Sequence, residues 1–119
     1  MPLNNPATAG PTHQEVVTAS RALNSTYQNT KGVPLYVAVT INCQTGNAGE
    51  RARVMLESDA SNPPTTYIAF MGIFSAIDIN PQNTFAGFMV VLPGNYYRVV
   101  SNLSGAGAAV ELSLWVEWY

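Results

Sequence analysis

Charge is scarce in this sequence. Only 10% of its 119 residues are charged, well under half the roughly 25% of an ordinary domain. Five Lys+Arg against seven Asp+Glu leave a formal charge of −2, and the cations Arg21, Lys31, Arg51, Arg53 and Arg98 are scattered. Nucleic-acid binding calls for clustered cations that displace counterions from phosphate, so no nucleic-acid partner is expected. Cysteine is nearly missing: Cys43 stands alone, which excludes an intrachain disulfide. At the end of an alternating apolar run it reads as a small buried hydrophobe. Histidine is as rare, His13 being the only one. One His and one Cys neither fill a tetrahedral zinc site nor set a base beside a nucleophile. No apolar run approaches the ~20 residues that span a bilayer, and the first residues lack the basic start and apolar core of a secretory signal. The expectation is synthesis in a reducing cytoplasm, with no membrane partner.

Hydrophobic residues, by contrast, make up 47% of the chain. A normal apolar load with so little charge argues against disorder, and the length allows one domain with one core. Residues 1–14 carry Pro2, Pro6, Gly10 and Pro11, which predict an extended arm rather than a helix. Such a segment is either a free tail, as most termini are, or an arm that orders when it is laid across a neighbouring subunit; in the second case Leu3 and Pro6 are its candidate contacts.

From residue 15 the apolar period is two. Leu35, Val37, Val39, Ile41 and Cys43 point one way and Tyr36, Ala38, Thr40 and Asn42 the other, the pattern of a strand with one buried face. Arg51–Ser58 repeats it with Ala52, Val54 and Leu56, and the simplest reading joins the two as a hairpin. Tyr67–Phe74 is apolar on both faces, as expected of a central strand, and Thr84–Leu92 is similar. Pro93-Gly94-Asn95 turns the chain into a strand over Tyr96–Leu103. The last strand sets Val110, Leu112, Leu114, Val116 and Trp118 on one face, with Glu111, Ser113, Trp115, Glu117 and Tyr119 on the other. Thr26–Gln28 is a short strand, and any helix is confined to about Arg21–Ser25. About eight short strands predict an all-β domain over 15–119, a β-sandwich or jelly roll.

Catalytic constellations find little support. Glycosidases need two carboxylates within about 5–9.5 Å. Glu111 and Glu117, on one face and six residues apart, would be about 20 Å apart at ~3.3 Å per residue. Asp59 and Asp78 sit in separate loops. Asp78-Ile-Asn80 offers two oxygen donors where calcium takes six or more ligands, and no glycine-rich phosphate loop is present. No metal or cofactor is implied, and the chain is expected not to be an enzyme; a small carboxylate-dependent hydrolase is the remote alternative.

The aromatics are more informative. Trp115 and Tyr119 on the polar face of the last strand, Tyr36 on the outward face of its strand, and Tyr96 and Tyr97 after the turn are candidate interface residues, because large aromatics with a polar handle are enriched at interfaces. Stacking on a sugar ring is the alternative use of the same side chains. Few edge charges are visible to keep such strands from pairing with other chains.

Three stretches carry a resemblance: Arg21-Ala-Leu-Asn-Ser-Thr-Tyr-Gln-Asn-Thr-Lys-Gly-Val-Pro-Leu-Tyr-Val-Ala-Val39, Phe88-Met-Val-Val-Leu-Pro-Gly-Asn-Tyr-Tyr97 and Trp115-Val-Glu-Trp118. Together they resemble small β domains of tailed-bacteriophage virion proteins, in tail fibres, tail tips and stand-alone decoration-type chains. The resemblance implies a structural or adhesive particle component, made in the host cytoplasm and placed on the virion surface. It also implies a homo-oligomer, a trimer by analogy with fibres and decoration proteins, that contacts the major capsid or tail proteins. A short chain without coiled-coil heptads or β-helical repeats favours capsid decoration or cement over a whole fibre; a tail module binding a host surface glycan is the alternative.

Overall fold

The computed structural model describes residues 10–75, 77 and 81–119. These form eight strands: β1 (Gln14–Val16), β2 (Tyr27–Gln28), β3 (Leu35–Gln44), β4 (Arg51–Asp59), β5 (Tyr67–Phe74), β6 (Gln82–Val91), β7 (Tyr96–Ser104) and β8 (Ala109–Trp118). A single 3₁₀ turn, Thr18–Ser20, sits just before the region where a short helix is expected from sequence. The strands make two four-stranded sheets, sheet A in the order β1-β8-β3-β6 and sheet B in the order β2-β7-β4-β5. Every pairing is antiparallel. First pairs with last, second with second-last, and so inward, as when one long hairpin is rolled across two layers. That is the jelly-roll arrangement.

The core lies between the sheets. Leu35, Val37, Val39, Ile41 and Cys43 of β3 face Ala52, Val54 and Leu56 of β4, and all of them are buried. Burial pushes the Cys43 thiol above its ordinary pKa, as expected of an inert core cysteine. β3 and β4 do not form a hairpin. β3 is flanked by β8 and β6, and the chain after Gln44 crosses to the other layer, where the Glu50 carboxylate gathers the loop by accepting from the backbone N–H of Gly46 and Asn47 at 2.7 Å each.

Two further expectations are corrected. β5 is not central: it closes one end of sheet B, and β6 closes the same side of sheet A. The last strand does not keep one apolar face. Thr40 pairs with Leu114 but the next residue, Ile41, pairs with Leu112, so Ser113 is a bulge that reverses the alternation. Before it Val110 and Leu112 pack on the core; after it Trp115 and Glu117 point inward and are buried.

The distinctive Tyr27-Gln-Asn-Thr-Lys-Gly-Val-Pro34 segment is a structural joint. Asn29 is buried, and its Nδ2 donates to the carbonyls of Val33 (2.8 Å) and Val91 (2.9 Å) while its Oδ1 accepts from Lys31 N–H (3.0 Å). One side chain thus ties the entry to β3 to the end of β6. Asn29→Ala leaves the buried Val91 carbonyl and the part-buried Val33 carbonyl without these donors, so a loss of about 1–3 kcal/mol is expected, read as a lowered urea midpoint with an unchanged slope.

Candidate interaction surface

Of the seven residues singled out from sequence, Leu3 and Pro6 lie outside the described residues. Two others belong to the interior: Trp115 is 0% and Tyr97 1% exposed. The bulge turned Trp115 inward, and Tyr97 lies on the core-facing row of β7 beside Val99. Neither is available to a partner. Tyr36 is half-buried on the outer face of sheet A, with its ring 6.2 Å from that of Phe88. Tyr96 is half-buried at the start of β7. Tyr119 is clasped within the chain, stacked on His13 at 5.1 Å, covered by the Lys31 ammonium at 4.3 Å and bonded through its hydroxyl to Glu15.

What Trp115 and Tyr97 do instead is anchor a buried carboxylate. Glu117 accepts from Arg21 through both oxygens (Nη2 2.9 Å, Nε 3.2 Å), from the Tyr97 hydroxyl (2.7 Å) and from Trp115 Nε1 (3.0 Å). Arg21 also lies 4.6 Å over the Tyr27 ring. Burial works to neutralise the guanidinium, but the hydrogen bond and charge of Glu117 outweigh it and hold Arg21 charged. Burial, with Glu117 beside it, pushes the Tyr97 phenol above its ordinary range, so it remains a donor. The group clamps the β1–β2 connection to β7 and β8. The sequence expectation that Glu111 and Glu117 share a face fails for the same reason as the Trp115 one.

The other carboxylates are also engaged in holding the fold. Glu57 pairs with Arg98 at 2.7 Å. Asp59 accepts from the backbone N–H of Ser61 (2.7 Å), Thr65 (2.9 Å) and Thr66 (3.0 Å), closing the loop before β5 and holding its own pKa well below the usual carboxylate range. Glu50, besides Gly46 and Asn47, accepts from Gly107 N–H at 2.7 Å. A Cβ at Gly105 or Gly107 would fall within 2.4–2.6 Å of the Glu50 side chain, so glycine is required at both. Asp78 lies outside the described residues. Glu111 remains, exposed on the outer face of sheet A, without a polar partner among the described residues. Among those residues no group of three or more His, Cys, Asp or Glu could hold a metal, and no helix is long and apolar enough to cross a membrane.

The outer surfaces carry the feature that sequence reasoning missed. On sheet A, Val16, Val116, Ala38 and Phe88 form one cross-strand row. On sheet B, Phe70 and Phe74 of β5 stand beside Met55 and Arg51 of β4. Tyr67, Phe70, Phe74 and Phe88 are each more than half exposed, and Ile68, Val90 and Leu92 are 41–58% exposed. A groove of about 180 Å³ on sheet B is lined by Arg51, Arg53, Phe70, Gly72, Ile73 and Phe74. There the Arg53 guanidinium lies 5.2 Å over Phe70, and among the described residues both arginines bond only to the neutral Asn102 Oδ1, at 3.3 and 3.2 Å. The signal was present in the sequence: between Asp59 and Arg98 the only charged residue is Asp78. No family model, curated protein or solved structure matches this chain.

Two outcomes follow. Glu117→Gln removes the charge opposite a largely buried Arg21, so a loss of about 3–5 kcal/mol is expected by chemical denaturation. Glu50 titrates at about 2 rather than its ordinary 4.5, first through the Gly107 N–H and then that of Gly46. Its folded pKa lies below its unfolded one, so its contribution is complete above pH 4.5 and is lost as pH falls toward about 2. In urea midpoints measured across that range, Glu50→Gln is expected to flatten this part of the profile.

Proposed function

We propose that this chain is a non-enzymatic structural protein of a tailed-bacteriophage particle, a capsid decoration or cement protein that sits on the virion surface as a homo-oligomer and contacts the major capsid protein. The observation that carries the reading is the apolar surface around β5 and β6. Monomeric proteins rarely leave contiguous apolar patches beyond a few hundred Å² in water, and long uncharged edge strands invite association. The resemblance of the Tyr27–Pro34 and Phe88–Tyr97 segments to virion β domains supports the phage assignment. The jelly roll, common among viral capsid domains, agrees with it at the level of fold alone.

Two rivals lose support. Binding a host glycan drew on five outward aromatics, and two of them, Tyr97 and Trp115, are in the core. A carboxylate hydrolase needs free acids, whereas Glu50, Glu57, Asp59 and Glu117 each hold part of the fold. The test is location. Cryo-electron microscopy and quantitative mass spectrometry of intact particles are expected to place the chain on the capsid surface in many copies. Absence from the particle, or a few copies at the tail tip, would contradict the reading.

A further inference from the structure

The outer face of sheet B holds two arginines with no carboxylate to meet among the described residues. Arg51, Arg53, Met55 and Glu57 alternate with the core-facing row of β4, and the one carboxylate among them, Glu57, is bound to Arg98 at 2.7 Å. A guanidinium carries five N–H donors. Arg51 Nη2 and Arg53 Nε both donate to the same oxygen, Asn102 Oδ1, at 3.3 and 3.2 Å, so those nitrogens are no further apart than the two bonds laid end to end. Like charges held that close repel. Arg51 Nε is shut off from water and has no acceptor among the described residues, and a buried donor left unpaired costs free energy. The pair is short of an anion.

The walls around it are apolar and set by β5. Phe70, Gly72 and Phe74 occupy alternate positions opposite Met55, Arg53 and Arg51. Glycine is required at 72: a Cβ there would collide with Arg53 Cβ and stand 2.7 Å from the Ala52 carbonyl oxygen. With no side chain at 72, Arg53 closes against β5 and sets its guanidinium 5.2 Å over Phe70, a cation–π contact that steadies it. Phe70 and Phe74, both more than half exposed, bound the groove of about 180 Å³. Small-molecule pockets measure ~300–1,000 Å³, so this groove has room for a side chain rather than a whole ligand. Apolar walls also strengthen a bond between a guanidinium and a carboxylate. A sugar acid would bring several hydroxyls to Phe70, Gly72, Ile73 and Phe74, whose side chains offer them no donor or acceptor. Residues 1–9 contain no Asp or Glu, so the chain's own N-terminal segment does not supply the charge.

We propose that this groove is a socket for one acidic side chain of a partner protein: a Glu or Asp whose carboxylate sits between Arg51 and Arg53 and whose flanking aliphatic residues rest on Phe70 and Phe74. Side chains stand roughly perpendicular to a sheet, whereas the hydrogen bonds of its edge lie in its plane. The socket therefore leaves the backbone edge of β5 free for other contacts. The inference rests on the reading of the chain as a non-enzymatic contact protein, and it gives one of those contacts its chemistry.

The probe is the acetylated, amidated peptide Ser-Thr-Val-Glu-Val-Thr-Ser, titrated into the isotope-labelled purified chain and followed by nuclear magnetic resonance. Shifts are expected in the amides of Phe70, Gly72 and Phe74 and in the Nε–H signals of Arg51 and Arg53. The same peptide with Gln in place of Glu is expected to bind about tenfold more weakly, and Arg53→Gln, with unchanged circular dichroism, to weaken the Glu peptide by a similar factor. The Gln peptide needs no substitution in the protein, so the test stands even where the variant fails to fold. No shifts at millimolar peptide, equal binding of the two peptides, or shifts confined to another surface overturn the proposal. So does a trimer of galacturonic acid, or inorganic phosphate, that binds the groove as well as the Glu peptide does. A chain that binds the peptide as described but is absent from particles overturns the virion reading and leaves the socket standing. A chain abundant on the capsid whose groove ignores the peptide keeps the virion reading and removes the socket.

Discussion

The outermost strand of an open sheet carries a row of backbone N–H and C=O groups that bond either to water or to another chain. The jelly roll leaves four such strands, and this sequence treats them unequally. β1 and β2 are too short to present much of a row, and the chain beside them is pinned by Arg21 to the Glu117 carboxylate. β5 and β6 are long, uncharged and apolar outward as well as inward. That asymmetry gives the domain a closed side and an open one, and the function proposed for it follows from the open side.

The small number of charges fits this division. Glu117, Glu50, Asp59 and Glu57 are each placed where a connection or strand must be held: at the β1–β2 crossing, across the β3–β4 and β7–β8 loops, before β5, and against β7. Each carboxylate collects donors that the backbone or a cation would otherwise leave unpaired, which raises the cost of losing any one of them. Charges spent on internal joints leave few for the surface. Neutral amides, hydroxyls and aromatics cover the rest.

Much of the fold was legible from period-two alternation. The β3 face read true because that strand is regular with one buried row, and the Ala52, Val54 and Leu56 row of β4 read true as well, although Met55 and Glu57 on its other face are also buried. The last strand misled because a bulge has no marker in a sequence: Ser113 looks like any polar residue on an outward face, yet it moves Trp115 and Glu117 into the core. Tyr67–Phe74 misled in a more useful way. A strand apolar on both faces reads as central, yet β5 lies at the edge of its sheet with its outer face exposed; on the proposed reading that face is covered by other chains. Asn29 is an intermediate case, visible as part of a distinctive motif, while its partner Val91 comes from a distant strand and could not be named from spacing.

Amide hydrogen exchange along β5 measures the central claim most directly. If the β5–β6 side is an interface, the Tyr67–Phe74 amides that do not bond to β4 will exchange slowly in concentrated protein and rapidly on dilution, while those of β3 keep their protection throughout. Fast exchange of those β5 amides at every concentration would mean that the edge stays in water, and would contradict the account.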